Sequence, residues 1–323
     1  MKKIITLLVI SMVIGAAQGA NPTEIRTMLM NAGLTAPIQH ITPSPIKTLS
    51  QVTLLGQEPL LISDDLQYII LGNIETNPSK ILNTDHHIST GKAGTPISQD
   101  HKKALLSNMT ALTKIDKNAA FYHTNVKGVL WGIAEGTPPF LVSADGRHLI
   151  NGEISVIKDG QFLGLDQAFE TAKNRHVLSQ LDEQTLVIYP AKGQEKAILY
   201  VVTDINCPYC RIFHDKIHDL NNKGVTIKAI GYPVYDESHL PMQQIWCQAD
   251  PTKRALLLSA AMKGIYTVND ACQGNDSPIA HNQTVAHALA IIATPSILNE
   301  QGEFFEGDFI KSNDELLSFL HLK

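Results

Sequence analysis

The sequence has no surplus of positive charge: 26 Lys and Arg stand against 31 Asp and Glu, a formal net charge of −5. Nothing in that balance supplies the basic surface a phosphate backbone needs, so nucleic acid is excluded as a leading partner. Long apolar runs are also scarce. After the run Ile4–Ala17 no stretch reaches the length of a spanning helix, so the mature chain is expected to be soluble. Cysteine is rare, with four residues, Cys207, Cys210, Cys247 and Cys272, all in the C-terminal part. What is ordinary is the rest: 44% hydrophobic and 18% charged residues over 323 positions exclude wholesale disorder and suffice for two or three domains.

Lys2 and Lys3 precede the apolar run, and Gln18-Gly19-Ala20-Asn21 comes directly after it. A basic start, a run too short to span a bilayer and a small-residue exit are the parts of a secretory signal peptide. Ala17 and Gly19 place cleavage after Gly19, with Ala20 as the runner-up. A short, Lys-rich leader of this kind points to a bacterial periplasm, where paired cysteines persist as disulfides.

One internal repeat stands out. Pro59–Ile74 aligns without gaps on Pro139–Ile154, offset by 80 residues, with Pro59/Pro139, Leu61/Leu141, Ser63/Ser143, Asp65/Asp145, Ile70/Ile150, Gly72/Gly152 and Ile74/Ile154 identical. Each copy reads as a strand, a turn centred on the Asp and a second strand. Helix-like stretches, Pro22–Ala32 and Gln99–Leu112, stand upstream of each hairpin, so two tandem small α+β modules are expected, joined near residues 76–98. From Leu165 to Leu181 apolar residues fall at spacings of three and four. That predicts a helical linker acting as a semi-rigid spacer between the modules and the C-terminal part.

The C-terminal part begins with short strands at Thr185–Tyr189 and Ala197–Thr203, the second apolar enough for a buried central position. Cys207-Pro208-Tyr209-Cys210 opens a helix running to Leu220, and Val225–Tyr232 is a further strand. Leu240–Ala261 is mostly helical with a break near Asp250-Pro251, and Val285–Ile292 is a helix. Ala293-Thr294-Pro295 then leads into the strand Ser296–Leu298, a turn at Gln301-Gly302, a strand at Glu303–Phe309 and a closing helix Ser312–Leu322, capped by Ser312 with Glu315 three residues on. This order, with its helical insert, is that of a thioredoxin fold.

A CxxC at a strand-to-helix junction has a chemical rationale. At the helix N-terminus free N–H groups and the helix dipole favour a thiolate on Cys207, and Pro208 suits the first turn. Cys210, one turn in and less exposed, can resolve a mixed disulfide. A zinc site would need a second close cysteine pair, which Cys247 and Cys272 do not form, so no metal is expected. The simplest reading of Cys247 and Cys272 is a structural disulfide around the helical insert, contributing roughly 3 kcal/mol; a second redox pair is the rival. Thr294-Pro295 precedes a strand, where a cis bond would present the Thr294 backbone to an extended chain opposite the CxxC. His214, four residues after Cys210, is expected as a surface polar residue, with tuning of the thiols as the alternative.

Together, Thr203-Asp204-Ile205-Asn206-Cys207-Pro208-Tyr209-Cys210, Ile245-Trp246-Cys247, Ala271-Cys272 and Ala293-Thr294-Pro295 resemble the DsbC/DsbG family of periplasmic disulfide isomerases. The resemblance runs from about Asp145 to the C-terminus. It implies that Cys207 attacks, Cys210 resolves, Thr294-Pro295 forms the cis-proline, substrate-binding loop, and Cys247–Cys272 is a non-catalytic disulfide. The dipeptide Pro208-Tyr209 is DsbG-like, whereas that extra disulfide is DsbC-like. Asp145–Gly152 is similar to the hairpin of the family's small dimerisation domain, which this chain carries twice. The resulting architecture is α+β / α/β: a signal peptide (1–19), a first module of that cystatin-like type (20–97), a second (98–163), a linker helix (164–182) and a thioredoxin-like catalytic domain (183–323). The implied activity is isomerisation or reduction of wrong disulfides in misfolded exported proteins, without a cofactor, with a DsbD-like membrane thiol reductase as electron donor and a homodimer as the working form; internal pairing of the two copies, which leaves a monomer, is the alternative. A thiol oxidase and a chaperone-like binder are the competing readings.

Overall fold

The structure, a computed structural model, describes residues 20–76, 91–108, 119–134, 138–266 and 277–322. The expected signal peptide, most of the junction between the modules, and Cys272 lie outside these residues. No helix among them is long and apolar enough to cross a membrane.

The chain forms two compact units. In the first, made of residues 20–73 and 152–165, helix α1 (Pro22–Asn31) starts where the Asn21 side chain accepts from the Thr23 N–H and Pro22 takes the first turn. It buries Ile25, Met28 and Leu29 on one face. Strands β1 (Ile38–Pro43), β2 (Leu49–Leu54), β3 (Leu60–Ser63) and β4 (Tyr68–Thr76) continue as an antiparallel meander.

The second unit holds residues 74–151 and 166–323. Helix α2 (Gln99–Asn108) precedes β5 (Ala120–His123), β6 (Val129–Ile133), β7 (Phe140–Ser143) and β8 (His148–Lys158), again an antiparallel meander. Strand β8 belongs to the second unit up to Asn151 and to the first from Gly152, where it turns back into β9 (Gln161–Leu165). The division into compact units thus falls between residues 73 and 74 and again between 151 and 152.

The two hairpins share one hydrogen-bond pattern. Ser63 Oγ donates to Asp65 Oδ1 at 2.6 Å, and the Tyr68 N–H donates to Ser63 Oγ at 3.0 Å. Ser143, Asp145 and His148 repeat this at 2.6 and 3.0 Å. The likeness extends upstream of the sixteen aligned positions, into the corner before each second strand. There Ser44 and Thr124 accept from the N–H of Ile46 and Val126, and the carbonyls of Ile46 and Val126 accept from Leu49 and Val129.

Helix α3 (Gln167–Ser179) begins after β9 with Asp166 as its N-cap, so Leu165 ends a strand rather than opening the helix. It is not a spacer held in solvent. Phe169 lies 6.3 Å from the Trp131 ring, and Lys173 Nζ sits 4.3 Å above that ring while donating to the Ala288 carbonyl. Asn174 donates to the Gly302 carbonyl, and a Cβ on Gly302, at φ 86°, would stand 2.4 Å from the Arg175 nitrogen. The polar residues that give the helix a solvated pattern are the ones fastening it.

Four strands build the C-terminal sheet in the order β10 (Val187–Tyr189), β12 (Val225–Gly231), β11 (Ala197–Thr203) and β13 (Ser296–Asn299). Strands β11 and β12 are parallel, and the other two pairs antiparallel. Helices α4 (Pro208–Asp215) and α5 (Ile217–Asn222) stand between β11 and β12; α6 (His239–Trp246), α7 (Pro251–Met262) and α8 (Pro278–Ala288) stand between β12 and β13; α9 (Asp314–Phe319) closes the chain. One apolar cluster joins Leu199, Val201, Phe213, Ile227 and Leu316; another joins Ala229, Met242, Trp246, Leu258, Cys207 and Cys210.

Three local expectations are corrected. Helix α8 starts at the Ser277 cap and stops before Ala290, whose φ of 58° leaves the helical region, so residues 289–292 are not helical. Residues 303–309 make a single bridge, Leu298 to Phe304, in place of a strand. Helix α9 starts one residue after Asn313 without a capping box: Ser312 accepts from the Asp314 N–H, and Glu315 is engaged by the Asp308 N–H.

Candidate active site

Buried β11 delivers the chain to the sheet edge at Thr203, and Asp204-Ile205-Asn206 turns it into α4. Ile205 is wholly buried and pins the turn. Cys207 is the N-cap, with φ −74° and ψ 119°, and Pro208 occupies the first helical position. The N-cap side chain does not close on the helix, so the N–H groups of Tyr209 and Cys210 face its sulfur. Cys207 and Cys210 are both buried, at 3% and 1% exposed, while Tyr209 between them is 54% exposed.

Register brings the second element in. Ser296 of β13 opposes Val202 of β11, so Pro295 falls beside Thr203, next to the turn into α4. The Thr294–Pro295 bond is cis, and the Thr294 carbonyl accepts from Cys207 Sγ at 3.1 Å.

Cys207 and Cys210 are both free thiols, and their acidities diverge. The Cys207 thiol is pulled down to about 5, first by the hydrogen bond from Cys210, then by the Thr294 side chain and the backbone N–H groups of Cys210 and Tyr209. Burial, the second-largest influence, opposes this shift. The Thr294 carbonyl can accept only from the neutral thiol and so also works against ionisation; the donors prevail. Cys210 is driven up, by burial first and then by the bond it donates to Cys207. The Asp204 N–H reaches Cys210 Sγ at 3.5 Å.

Asp204 holds the site together, a part that sequence reasoning did not assign to it. Its wholly buried carboxylate accepts from the N–H groups of Asn206 (2.7 Å), Val234 (2.6 Å) and Tyr235 (3.1 Å) and from Ser238 Oγ. It thereby ties the turn into α4 to the loop after β12. An acidic residue three positions before the first cysteine, inside an apolar context, was the available signal.

His214 is half-buried, and it is not among the groups that shift the acidity of the two sulfurs. Its Nε2 lies 3.1 Å from Ser259 Oγ, its ring meets Tyr189 edge-on at 5.3 Å, and burial lowers its pKa to about 4. Cys247, at the end of α6, is disulfide-bonded.

A thiol pair on the first turn of a helix that comes after the central strand of a mixed sheet defines a thioredoxin-like domain, and residues 184–321 match the thioredoxin-like domain family. The thiol:disulfide interchange protein DsbC of Dickeya dadantii (strain 3937) is 29% identical over 174 residues, covering 51% of this chain and 66% of that protein. DsbC of Escherichia coli (strain K12) is 27% identical over 171 residues, again 51% of this chain and 66% of that protein. The chain thus spans just under two thirds of the length of these curated relatives. Among solved structures, a disulfide interchange protein from Neisseria gonorrhoeae aligns with 44% of this chain and 100% of its own at 19% identity and a TM-score of 0.38. The catalytic domain of Proteus mirabilis ScsC aligns with 46% and 96% at 18% identity and a TM-score of 0.38. The chain is thus similar, over about half of its length, to thiol:disulfide interchange proteins named DsbC.

Proposed function

We propose that this chain is an exported, periplasmic enzyme that isomerises or reduces wrong disulfides, with Cys207 as attacking thiolate, Cys210 as resolving thiol and the Thr294-Pro295 loop receiving the substrate backbone. The observation that carries the reading is the split acidity of the pair: a thiolate at the helix N-terminus beside a buried thiol that keeps its proton.

The Cys207 thiolate displaces one sulfur of a substrate disulfide. A Cys207–substrate bond forms, and the other substrate sulfur leaves as a thiolate. Another substrate thiolate can then attack the mixed disulfide at the substrate sulfur, which restores Cys207 and rearranges the disulfide with no net oxidation. Alternatively Cys210 loses its proton and attacks Cys207; the substrate leaves with two thiols and the enzyme holds a Cys207–Cys210 disulfide. That route moves two electrons to the substrate and requires a thiol reductant, the place of a DsbD-like membrane donor.

Exposed apolar groups flank the sulfurs along the chain: Tyr209 between them, Ile292, 95% exposed, two residues before Thr294, and Val234 and Tyr235 on the loop that Asp204 holds. Such a surface suits an unfolded polypeptide. Helices α6 to α8 form the helical insert of the thioredoxin-like domain, with Cys247 and Cys272 bridging it. The two hairpin copies with their helices act as small cystatin-like modules.

Catalytic amounts of reduced protein, added to a scrambled multi-disulfide substrate, test the reading. Recovery of substrate activity with the wild type and none with Cys207→Ala is expected. No recovery, together with rapid oxidation of a reduced substrate by the oxidised protein, replaces it by a thiol oxidase. Suppressed aggregation by both proteins without turnover replaces it by a chaperone-like binder.

A further inference from the structure

The second strands of the two repeats lie against each other, and they do so in a particular register. The Ile157 N–H donates to the Gln67 carbonyl at 2.7 Å, and the Gly152 backbone is so close to Leu71 that a Cβ there would stand 2.1 Å from its carbonyl oxygen. Moving forward from Gln67 to Leu71 means moving back from Ile157 towards Gly152, so the segments run antiparallel. Both belong to the first compact unit. Five steps from the Gln67–Ile157 pair, Gly72 falls opposite Gly152.

Gly72 and Gly152 are the same position of the repeat. Two equivalent strands that run antiparallel and meet at equivalent residues are paired isologously, the arrangement by which a two-fold dimer joins one surface to its own copy. Here the pairing occurs within one chain. It also explains why that repeat position is glycine: at Gly152 the facing carbonyl leaves no room for a side chain.

Strand β4 consequently has no open edge along these residues. Leu71, Ile70 and Ile69 pair with Leu60, Leu61 and Ile62 on one side, and residues 152–157 fill the other. A strand from a second molecule has no unpaired N–H and C=O groups to meet there.

We propose that the first repeat is the built-in partner of the second, replacing a second copy of this chain, so that the protein is a monomer with one dithiol. The homodimer implied by the family resemblance is the competing arrangement. This inference is independent of which disulfide reaction the site performs.

Sedimentation equilibrium of the unaltered mature protein, from low to high micromolar concentration, tests it. The mass of one chain at every concentration is expected, and a two-chain species at any of them overturns the proposal. A trap separates pairing within a chain from exchange between chains. Leu71→Cys combined with Glu153→Cys places two thiols across the pairing, one step from Gly72 and Gly152. Peptide mapping after oxidation should find the 71–153 link in material of one-chain mass. A 71–153 link joining differently tagged chains, or none at all in folded protein, overturns it.

Discussion

If four donors around one sulfur set the acidity of Cys207, its titration should show it. An unperturbed thiol has a value of 9.0, and here the sulfur falls to about 5. At neutral pH that difference converts a thiolate population of about one per cent into nearly all of it, a gain of roughly 100-fold in the reactive form. Part of that gain is given back, because a thiolate of lower basicity is a weaker nucleophile. The rate of alkylation of the reduced protein by iodoacetamide, measured against pH, should therefore rise with a midpoint near 5, and thiolate absorbance should give the same midpoint. The largest contribution is the hydrogen bond from Cys210. A hydrogen bond to a charged group is worth about 1.5–3 kcal/mol, so Cys210→Ala should move the midpoint up by about 1–2 pH units, whereas Cys210→Ser, which keeps a donor, should move it less.

The same shift predicts a pH dependence of stability. Between the folded value near 5 and the unfolded value near 9 the unfolded chain holds the proton and the folded chain does not. Stability of the reduced protein should rise with pH across that window and be lost as the pH falls through about 5. The oxidised protein has no titrating thiols at the site, so its stability should lack this component of the pH dependence. An alkylation midpoint near 8 or above in the wild type, or one unchanged in Cys210→Ala, would refute the argument.

Burial, a buried carboxylate and a buried ammonium each give a further expected outcome. His214 is held neutral at a value near 4 by burial, so the unfolded chain binds a proton that the folded chain refuses between about 4 and 6.5; stability should fall as the pH drops through that range, and urea melts of His214→Gln should lack that component. Asp204→Asn puts an amide donor among groups that already donate, and urea denaturation should show a loss of about 2–4 kcal/mol, with a raised KM because the Val234–Tyr235 loop loses its anchor. Lys173→Ala removes a buried stem and an ammonium from against Trp131 and should cost about 2–4 kcal/mol, whereas Lys173→Met, which refills the space, should cost less than about 1.5; equal losses would place the stabilisation in the ion pair with Glu170 rather than in packing.

Local chemistry made the turn at Cys207 and both hairpins legible. Cys207 as N-cap, Pro208 at the first helical position and the Ser-x-Asp turns each depend on neighbours within a few residues, and short-range preference fixes them. The linker helix was legible as a helix but not in its role. Only the folded chain shows the carbonyls of Ala288 and Gly302 that receive Lys173 and Asn174. The end of α8 escaped for a similar reason: Ala290 takes a conformation more usual for glycine, and nothing local in the sequence announces it. The pairing of Gln67 with Ile157 joins positions 90 residues apart. The repeat contained the clue, since glycine recurs at the place where the strands meet, but strand propensity does not specify which edge a strand will take.

One hydrogen bond links the two sulfurs to the outcome of the reaction. The Cys210 proton that stabilises the Cys207 thiolate is the proton that must leave before Cys210 can attack, so the interaction lowers one pKa and raises the other. Once Cys207 is joined to substrate its negative charge is gone, but the burial that also raises Cys210 remains. On the proposed mechanism, resolution by Cys210 should then be slow relative to attack by a solvent-exposed substrate thiol, and the mixed disulfide should persist long enough for rearrangement. Making Cys210 easier to ionise should shift turnover from isomerisation towards reduction. A polar substitution in its apolar cover, Ala261→Ser on α7, provides that change, and the ratio of rearranged to reduced substrate under excess dithiol measures it. A ratio that stays constant while the Cys210 pKa falls would mean that access of the substrate thiol, and not the resolving sulfur, sets the partition.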